Sequence, residues 1–443
     1  MNKKELFKRM PIWAQNYLQA CISIRAKKEE KRLIESVSFY ESHNNWTYEQ
    51  KCDFRDAELR KLVNHCYKTV PYYKRIFNDG GIDPASIRTL DDLKVLPILT
   101  KDMVIANPKD FQSTAIPEKD IKVIHTSGTT GSGFIFNSTI TAWRSQLAVW
   151  WRYYRNLGID MDTNCGAFTR TTSIPPSQNK PPFYRLDWIN HRVNLSSFHM
   201  KEENVDSYLE GLNRGKVKWV QGWPSLIDAF ANILISKGVT YPLEYVTTGA
   251  ENLLDTQIEH IVKVFGVTPY QHYGQMEAVA NFSQNIEHEM YVDEDFAAVE
   301  FLPIDDRGGY EIIGTCLTNY ATPFLRYRTK DLCQYRETSK GRLITRLDGR
   351  QEDYIVLPDG TKVGRLDDLF VSFDKVKESQ VVQISRSDLK VRIVKREGYT
   401  NEYEKAIKQR IGEFLPGLNV QFEYVDSIER SRSGKLRHIV SEI

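Results

Sequence analysis

From residue 121 onward, short apolar runs end in glycine-bearing turns: KVIHTSGTTGSG, KWVQGWPS, EYVTTGAEN and TPYQHYGQ. Stretches long enough for helices separate the first three. Strands alternating with helices predict an α/β sheet whose strand ends open into glycine loops. Ligand sites are expected at those ends.

The flanking sequence has other periods. Residues 1–100 read as mainly helical, with Trp13, Tyr17, Leu18 and Ile22 at helical spacing, then the charged stretch AKKEEKR, then a second periodic segment around Leu59, Leu62 and Val63. AAVEFLPI and GYEIIGTCL read as an antiparallel pair joined by DDRGG. Beyond residue 350 come QVVQISRS, LKVRIVKR, the helix NEYEKAIKQRIGEF and NVQFEYV, the pattern of a small α+β domain. The 443 residues exceed one hydrophobic core. A boundary near Gly349 therefore divides an N-terminal domain, 1–350, from a C-terminal one, 351–443.

Composition removes several classes. A formal charge of +2 argues against holding nucleic acid by bulk charge. No run of about eighteen apolar residues occurs, and MNKKELFKRM lacks the apolar core of a secretory signal, so a cytoplasmic protein is expected. Six scattered cysteines without a CxxC suggest neither a disulfide framework nor a cysteine-rich zinc site. The basic, aromatic first helix could lie on a membrane surface; a docked terminal helix is the favoured reading.

The strongest local signal is Thr126, Ser127, Gly128, Thr129, Thr130 and Gly131, directly after the strand-like IKVIH. Glycines free the backbone to turn N–H groups inward and the hydroxyls add donors, so such a loop can wrap a polyphosphate. Gly128 and Gly133 have Walker spacing, but Phe134 and Ile135 stand where Lys and Ser/Thr are required. A second cluster is Tyr273, Gly274, Gln275, Met276 and Glu277: an aromatic face, a glycine and a carboxylate able to hold Mg²⁺. Asp331, in RYRTKD, can accept from ribose hydroxyls, and Arg350, in GRQED, can donate to ribose or phosphate. Each charged string taken alone reads as solvated surface, and so does Lys435 in SGKLR.

In chain order, TSGTTG, the GAE of Gly249, Ala250 and Glu251, YGQME, RYRTKD, GRQED and the late SGK resemble the motif series of the adenylate-forming superfamily. HCYKTVPYYKRIF, DDLKVLPILTKDM with Lys101, VQGWPSLI and ERSRSGKLR are similar to its phenylacetate–CoA ligase branch and, within it, to the CapK-like proteins of capsular polysaccharide gene clusters. The resemblance spans roughly residues 60 to 443. It implies an α/β fold: a large multi-subdomain N-terminal domain binding ATP and a carboxylic acid, and a small mobile α+β domain hinged at Glu352. By resemblance, Thr126 to Gly131 form the phosphate loop, and Gly249, Ala250 and Glu251 line the adenine with Tyr273. Glu277 binds Mg²⁺, Asp331 and Arg350 hold the ribose, and Lys435 is the mobile catalytic lysine. Glu277 and Thr130 share the catalytic role with it. The product would be an acyl-adenylate, passed to CoA or to an amine or hydroxyl of a glycan precursor.

Departures from that pattern sharpen the expectations. Met276 stands where a hydroxyl commonly contacts the α-phosphate, which keeps in play a nucleotide-binding pseudoenzyme or scaffold. Ser283 replaces a cysteine of many relatives and RETSKGRL lacks their CxC, so a zinc site is not expected, although His288 and Cys333 remain. His125 and His199 are candidate pocket residues, and Trp223 and Phe198 candidate pocket wall or core.

Overall fold

The computed structural model describes residues 10–443 except 127–133, 170–173, 176–177, 198, 305–308, 351–354, 359–361, 364–369, 371–372, 374, 416 and 430–438. Its centre is a twelve-stranded sheet. In spatial order the strands are Ala297–Pro303, Tyr310–Cys316, Tyr327–Thr338, Gly341–Arg350, Met290–Val292, Asn281–Gln284, Tyr270–Gly274, Tyr245–Thr248, Trp219–Gly222, Cys165–Thr169, Arg192–Ser196 and Tyr184–Asp187. The three runs KWVQ, EYVTT and PYQHYG are the expected parallel strands. The pair AAVEFLPI and GYEIIGTCL is antiparallel, as read.

Strand Tyr270–Gly274 is the seam of this sheet. It runs parallel to Tyr245–Thr248 on one side and antiparallel to Asn281–Gln284 on the other. A sheet changes its connectivity at such a strand, and the chain leaving it is free to line a crevice.

Helices cover the parallel part. Val205–Arg214, Pro224–Ser236 and Asp255–Phe265 bury Tyr208, Phe230, Ile261 and Phe265 against Phe168, Val220 and Val246. Ile140–Asn156 starts where Thr139 accepts from the Ala142 N–H at 2.9 Å, a hydroxyl filling one of the open donors of the first turn. Tyr48–Thr69 begins with a capping box between Thr47 and Gln50 and packs Leu59, Leu62 and Val63 near Ala298 and Leu325 of the antiparallel part.

Two expectations change. The strand Ile121–His125 does not join the large sheet; it pairs with Ile135–Thr139 as a separate two-stranded ribbon. The stretch AKKEEKR does not interrupt the first helix, which runs unbroken over Ile12–Glu41, because Lys, Glu, Arg and Ala are all good helix formers. That helix packs along Ile140–Asn156 and against Tyr184–Asp187.

The C-terminal segment has its own four-stranded sheet, in the order Asn419–Tyr424, Asp388–Lys395, Val376–Gln383, Ile439–Ser441, with helix Asn401–Phe414. Its core of Val381, Leu389, Val391, Ile393, Ile407 and Ile411 is wholly aliphatic and at most 0% exposed at each of these side chains. The two strands, helix and strand expected there are all present.

Candidate active site

Where the seam strand ends, two of the sequence motifs touch. The Tyr273 hydroxyl donates to Asp331 Oδ2 at 2.7 Å, and Gln275 Nε2 donates to the same oxygen at 3.0 Å while also contacting the tyrosine hydroxyl. Asp331 comes from strand Tyr327–Thr338, and across the ladder its backbone faces Arg350. Burial, reinforced by the Asp331 charge, pushes the Tyr273 phenol well above its ordinary range. The phenol thus stays protonated and remains a fixed donor, so the carboxylate is held in one orientation. One face of the tyrosine ring stacks on Phe282, with centroids 4.7 Å apart.

The other face of the seam strand meets helix Ile140–Asn156. Trp150 Nε1 donates to Asn281 Oδ1 at 3.0 Å, and a Cβ added at Gly274 would stand 2.7 Å from that oxygen. A Cβ at Gly249 would stand 2.9 Å from the His272 ring. Both glycines are therefore required by space. Gln146 Nε2 donates to the Gln275 carbonyl at 2.5 Å, tying the same helix to the turn beyond the strand.

His272 and Tyr153 lie side by side here, ring centroids 5.3 Å apart, and among the described residues both His272 Nδ1 and the Tyr153 hydroxyl are buried without a hydrogen-bond partner. Interiors rarely tolerate one such orphan, so two in contact mark unspent hydrogen-bonding capacity. Burial lowers the His272 pKa to about 4, which keeps the ring neutral, with one nitrogen able to donate and the other to accept.

The turns carrying the motifs are strained. Ala250, Ala278, Arg326 and Lys330 adopt φ of 64°, 54°, 52° and 64°, the left-handed region that L-residues avoid. Such conformations persist where surrounding contacts over-determine them, and they concentrate at functional turns.

The remaining candidates take varied positions. Thr126 closes the ribbon, its N–H donating to the Phe134 carbonyl at 2.9 Å. Met276 packs against the cluster that contains Tyr273 and Phe134, and Glu277 is half-buried in the turn that follows. Glu251 accepts from the Ser225 N–H at 3.3 Å, in the first turn of Pro224–Ser236, whose N-cap is Trp223. His125 is exposed at its strand end. His199 lies 2.7 Å from Ser196 Oγ through Nδ1 and stacks on Phe183. Ser283 donates to Asp293, His288 stacks on Tyr270 and Cys333 is in the core. Ser127, Gly128, Thr129, Thr130, Gly131, Phe198, Glu352 and Lys435 lie outside the described residues.

Beneath the site runs a buried charge network. Arg152 bonds Asp293 at 2.8 Å and Asp295 at 2.5 Å, and His43 Nδ1 lies 2.8 Å from Asp295. Asp293 in turn accepts from Asn281 at 2.6 Å, the residue that holds Trp150. Burial would raise the Asp295 carboxyl, but Arg152 and His43 outweigh it and hold this group well below the ordinary carboxylate range. Burial prevails at Asp293 and raises its pKa. A second knot joins Arg55 and Arg342 to Glu294 at 2.8 and 2.6 Å.

Gln146, Trp150, Tyr153 and His272 were not foreseen as site residues, and Gln275 was named only as part of the YGQME string, without a role. A signal existed for three of them: Gln146, Trp150 and Tyr153 follow one another at helical spacing, so one face of their helix addresses the seam strand.

Among the described residues no group of three His, Cys, Asp or Glu side chains could hold a metal ion. A single carboxylate such as Glu277 fits Mg²⁺, which takes one or two carboxylates and fills the rest of its shell with water and phosphate oxygens.

A large mixed sheet, glycine-bearing turns on its seam strand and an appended small α+β sheet define the adenylate-forming ligase fold. A 2-hydroxyisobutyryl-CoA ligase, solved in its postadenylation state with an acyl-AMP, superposes with a TM-score of 0.66 at 15% identity over 88% of this chain and 89% of that one. Within that fold class the homologues are CapK and the phenylacetate–CoA ligases. Residues 355–442 match the CapK C-terminal domain. Over 99% of both chains the protein is 22% identical to CapK of Staphylococcus aureus. It is 23% identical to the phenylacetate–coenzyme A ligase of Escherichia coli K12, over 74% of this chain and 78% of the relative.

Proposed function

We propose that this protein is an ATP-dependent, AMP-forming ligase that activates a carboxylic acid as its acyl-adenylate and passes the acyl group to an acceptor. The observation that carries this reading is the Tyr273–Gln275–Asp331 contact at the end of the seam strand, one turn from Glu277. It joins an aromatic surface and an oriented carboxylate, the pair a nucleoside needs. In this reading Asp331 and Arg350 receive the ribose, and Tyr273, Gly249, Ala250 and Glu251 border the adenine. Thr126 to Gly131 wrap the phosphates.

In the first half-reaction a carboxylate oxygen attacks the α-phosphorus, the bond to the bridging oxygen breaks, and pyrophosphate leaves with that electron pair. Two anions must approach while charge builds on phosphorus, so donors have to be fixed in advance. Lys435 and the N–H groups of the loop would supply them. Mg²⁺, held by Glu277, would add neutralising charge on the phosphates. In the second half-reaction the acceptor attacks the acyl carbon and AMP departs. CoA is the acceptor named for the ligases of this fold; an amine or hydroxyl of a glycan precursor is the alternative acceptor. A swing of residues 351–443 about Glu352 would withdraw Lys435 between the steps and admit the acceptor.

The test is carboxylate-dependent exchange of labelled pyrophosphate into ATP across a panel that includes aryl, amino and sugar acids. Lys435→Ala should lower the exchange rate by about 10²–10³-fold while ATP still binds. A second reading, a nucleotide-binding pseudoenzyme or scaffold, draws on Met276, whose thioether packs into the core and offers no hydroxyl. ATP binding with no acid supporting exchange would select it.

A further inference from the structure

Over its opening turns the first helix combines buried polar anchors with an exposed apolar stripe. Its buried contacts there are polar: Gln15 accepts from Arg185 Nε at 3.0 Å, and Ser23 donates to Asp187 at 2.8 Å. Three large apolar side chains of the same stretch face the other way, while Ile12 and Leu18 are half-buried. Trp13, Tyr17 and Ile24 are 74%, 69% and 55% exposed. At 3.6 residues per turn these three fall within a stripe about 40° wide, opposite Gln15. Trp188, one residue beyond the aspartate that anchors Ser23, is 61% exposed. A helix that docked only to its own protein would turn Trp and Ile inward and its amide outward.

Charge says what the stripe faces. Residues 1–32 carry nine lysines and arginines against three glutamates, although the whole chain has 60 basic and 58 acidic residues. The remainder is therefore net acidic, and the positive excess is concentrated in the first 32 residues of the sequence, which include this helix face. Lys31 and Arg32 are exposed one turn or more beyond Ile24. Trp and Tyr favour the boundary between hydrocarbon and water, and flanking lysines are drawn to anionic headgroups. Among the described residues no helix is long and apolar enough to cross a membrane, so the helix would lie on the surface, not span it.

We infer that the Trp13–Tyr17–Ile24 face of the first helix, with its basic flanks, is a peripheral docking surface for an anionic lipid bilayer. The polar anchors Gln15 and Ser23 fix the helix to the body, leaving the apolar stripe outward for insertion to headgroup depth.

The experiment is flotation of the full-length protein with vesicles of phosphatidylcholine alone or mixed with phosphatidylglycerol. Binding should require the anionic lipid, weaken as salt rises, and fall by about tenfold or more in Trp13→Ser/Tyr17→Ser/Ile24→Ser. Because these side chains are exposed, the thermal midpoint and far-ultraviolet dichroism of the triple variant should match those of the wild type. Lys27→Glu/Lys31→Glu should weaken binding with the apolar stripe intact. No association with anionic vesicles at low salt, or association that the triple variant leaves unchanged, overturns the inference. So does a wild-type dimer in light scattering that the triple variant converts to monomer, which would assign the stripe to a second copy of the chain.

Discussion

The seam region of the large sheet and the small C-terminal sheet are held together by opposite means. Around the seam, arginines and carboxylates are buried in closed networks: Arg152 with Asp293 and Asp295, Arg55 and Arg342 with Glu294. In the small sheet the fully buried cluster around Val381, Val391 and Ile407 is aliphatic, with no charged side chain in it. Apolar packing is non-directional and tolerates repacking, whereas a buried ion pair fixes angles and severely penalises the loss of one partner. The contrast separates a region whose charged side chains are locked in register from one held mainly by apolar packing, which can move as a unit.

Removing Arg152 is the most severe way to break this contrast. Arg152→Ala leaves Asp293 and Asp295 buried without their cation and should cost about 3–5 kcal/mol, read from the urea midpoint. A loss below about 1 kcal/mol would mean the network is decoration. Next in size, Ile407→Ala opens a cavity in the small sheet worth about 2–5 kcal/mol. Hydrogen exchange should localise that loss to residues 376–424, with amides of the seam strand unchanged; a spread into the seam would erase the distinction between the two regions.

A finer cut is Tyr273→Phe, which removes a hydrogen bond to a carboxylate and should weaken nucleotide binding by about 1.5–3 kcal/mol, measured by calorimetry. The fold should survive, since the ring still stacks on Phe282.

The smallest effect is in pH. Asp295 is depressed in the folded protein, so its stabilisation is full above the unfolded aspartate pKa, about 3.9, and fades as pH falls below that value. Asp293, raised, acts with the opposite sign and takes up its proton first. Urea midpoints between pH 6 and pH 3 should thus fall less steeply in Asp295→Asn than in the wild type.

Much of this architecture could be read from the residues. Glycine-ended apolar runs gave the parallel strands, DDRGG the antiparallel pair, and a change of period beyond Gly349 the small sheet. The ribbon was misread because Ile121–His125 and Ile135–Thr139 satisfy each other's backbone, and nothing local tells a strand that pairs with its neighbour from one that joins a distant sheet. The docked first helix was legible, and it does pack on the body, but its spacing could not show that Leu18 turns inward while Trp13 and Tyr17 stay exposed, since period alone does not say which way a face turns. At the site, YGQME and RYRTKD were recognisable as strings, but their contact through Tyr273 and Asp331 depends on tertiary pairing. Charged strings read as surface also hid Arg326, which is buried against Glu300 at 3.0 Å, a partner from a different strand. Buried charge is invisible to composition because it requires knowing the partner.

The seam strand has one further consequence. Strands from 165 to 274 make up the parallel side with its short edge hairpin, and strands from 281 to 350 make up the antiparallel side, so each portion is contiguous in sequence. Topologically the chain is most divisible between residues 275 and 280, which is also where the nucleotide motif sits. Split-protein complementation at that point would sever Gln275 from Asn281 while leaving the pairing of Tyr270–Gly274 with Asn281–Gln284 to rejoin the halves, and under the proposed function ATP should speed that reunion.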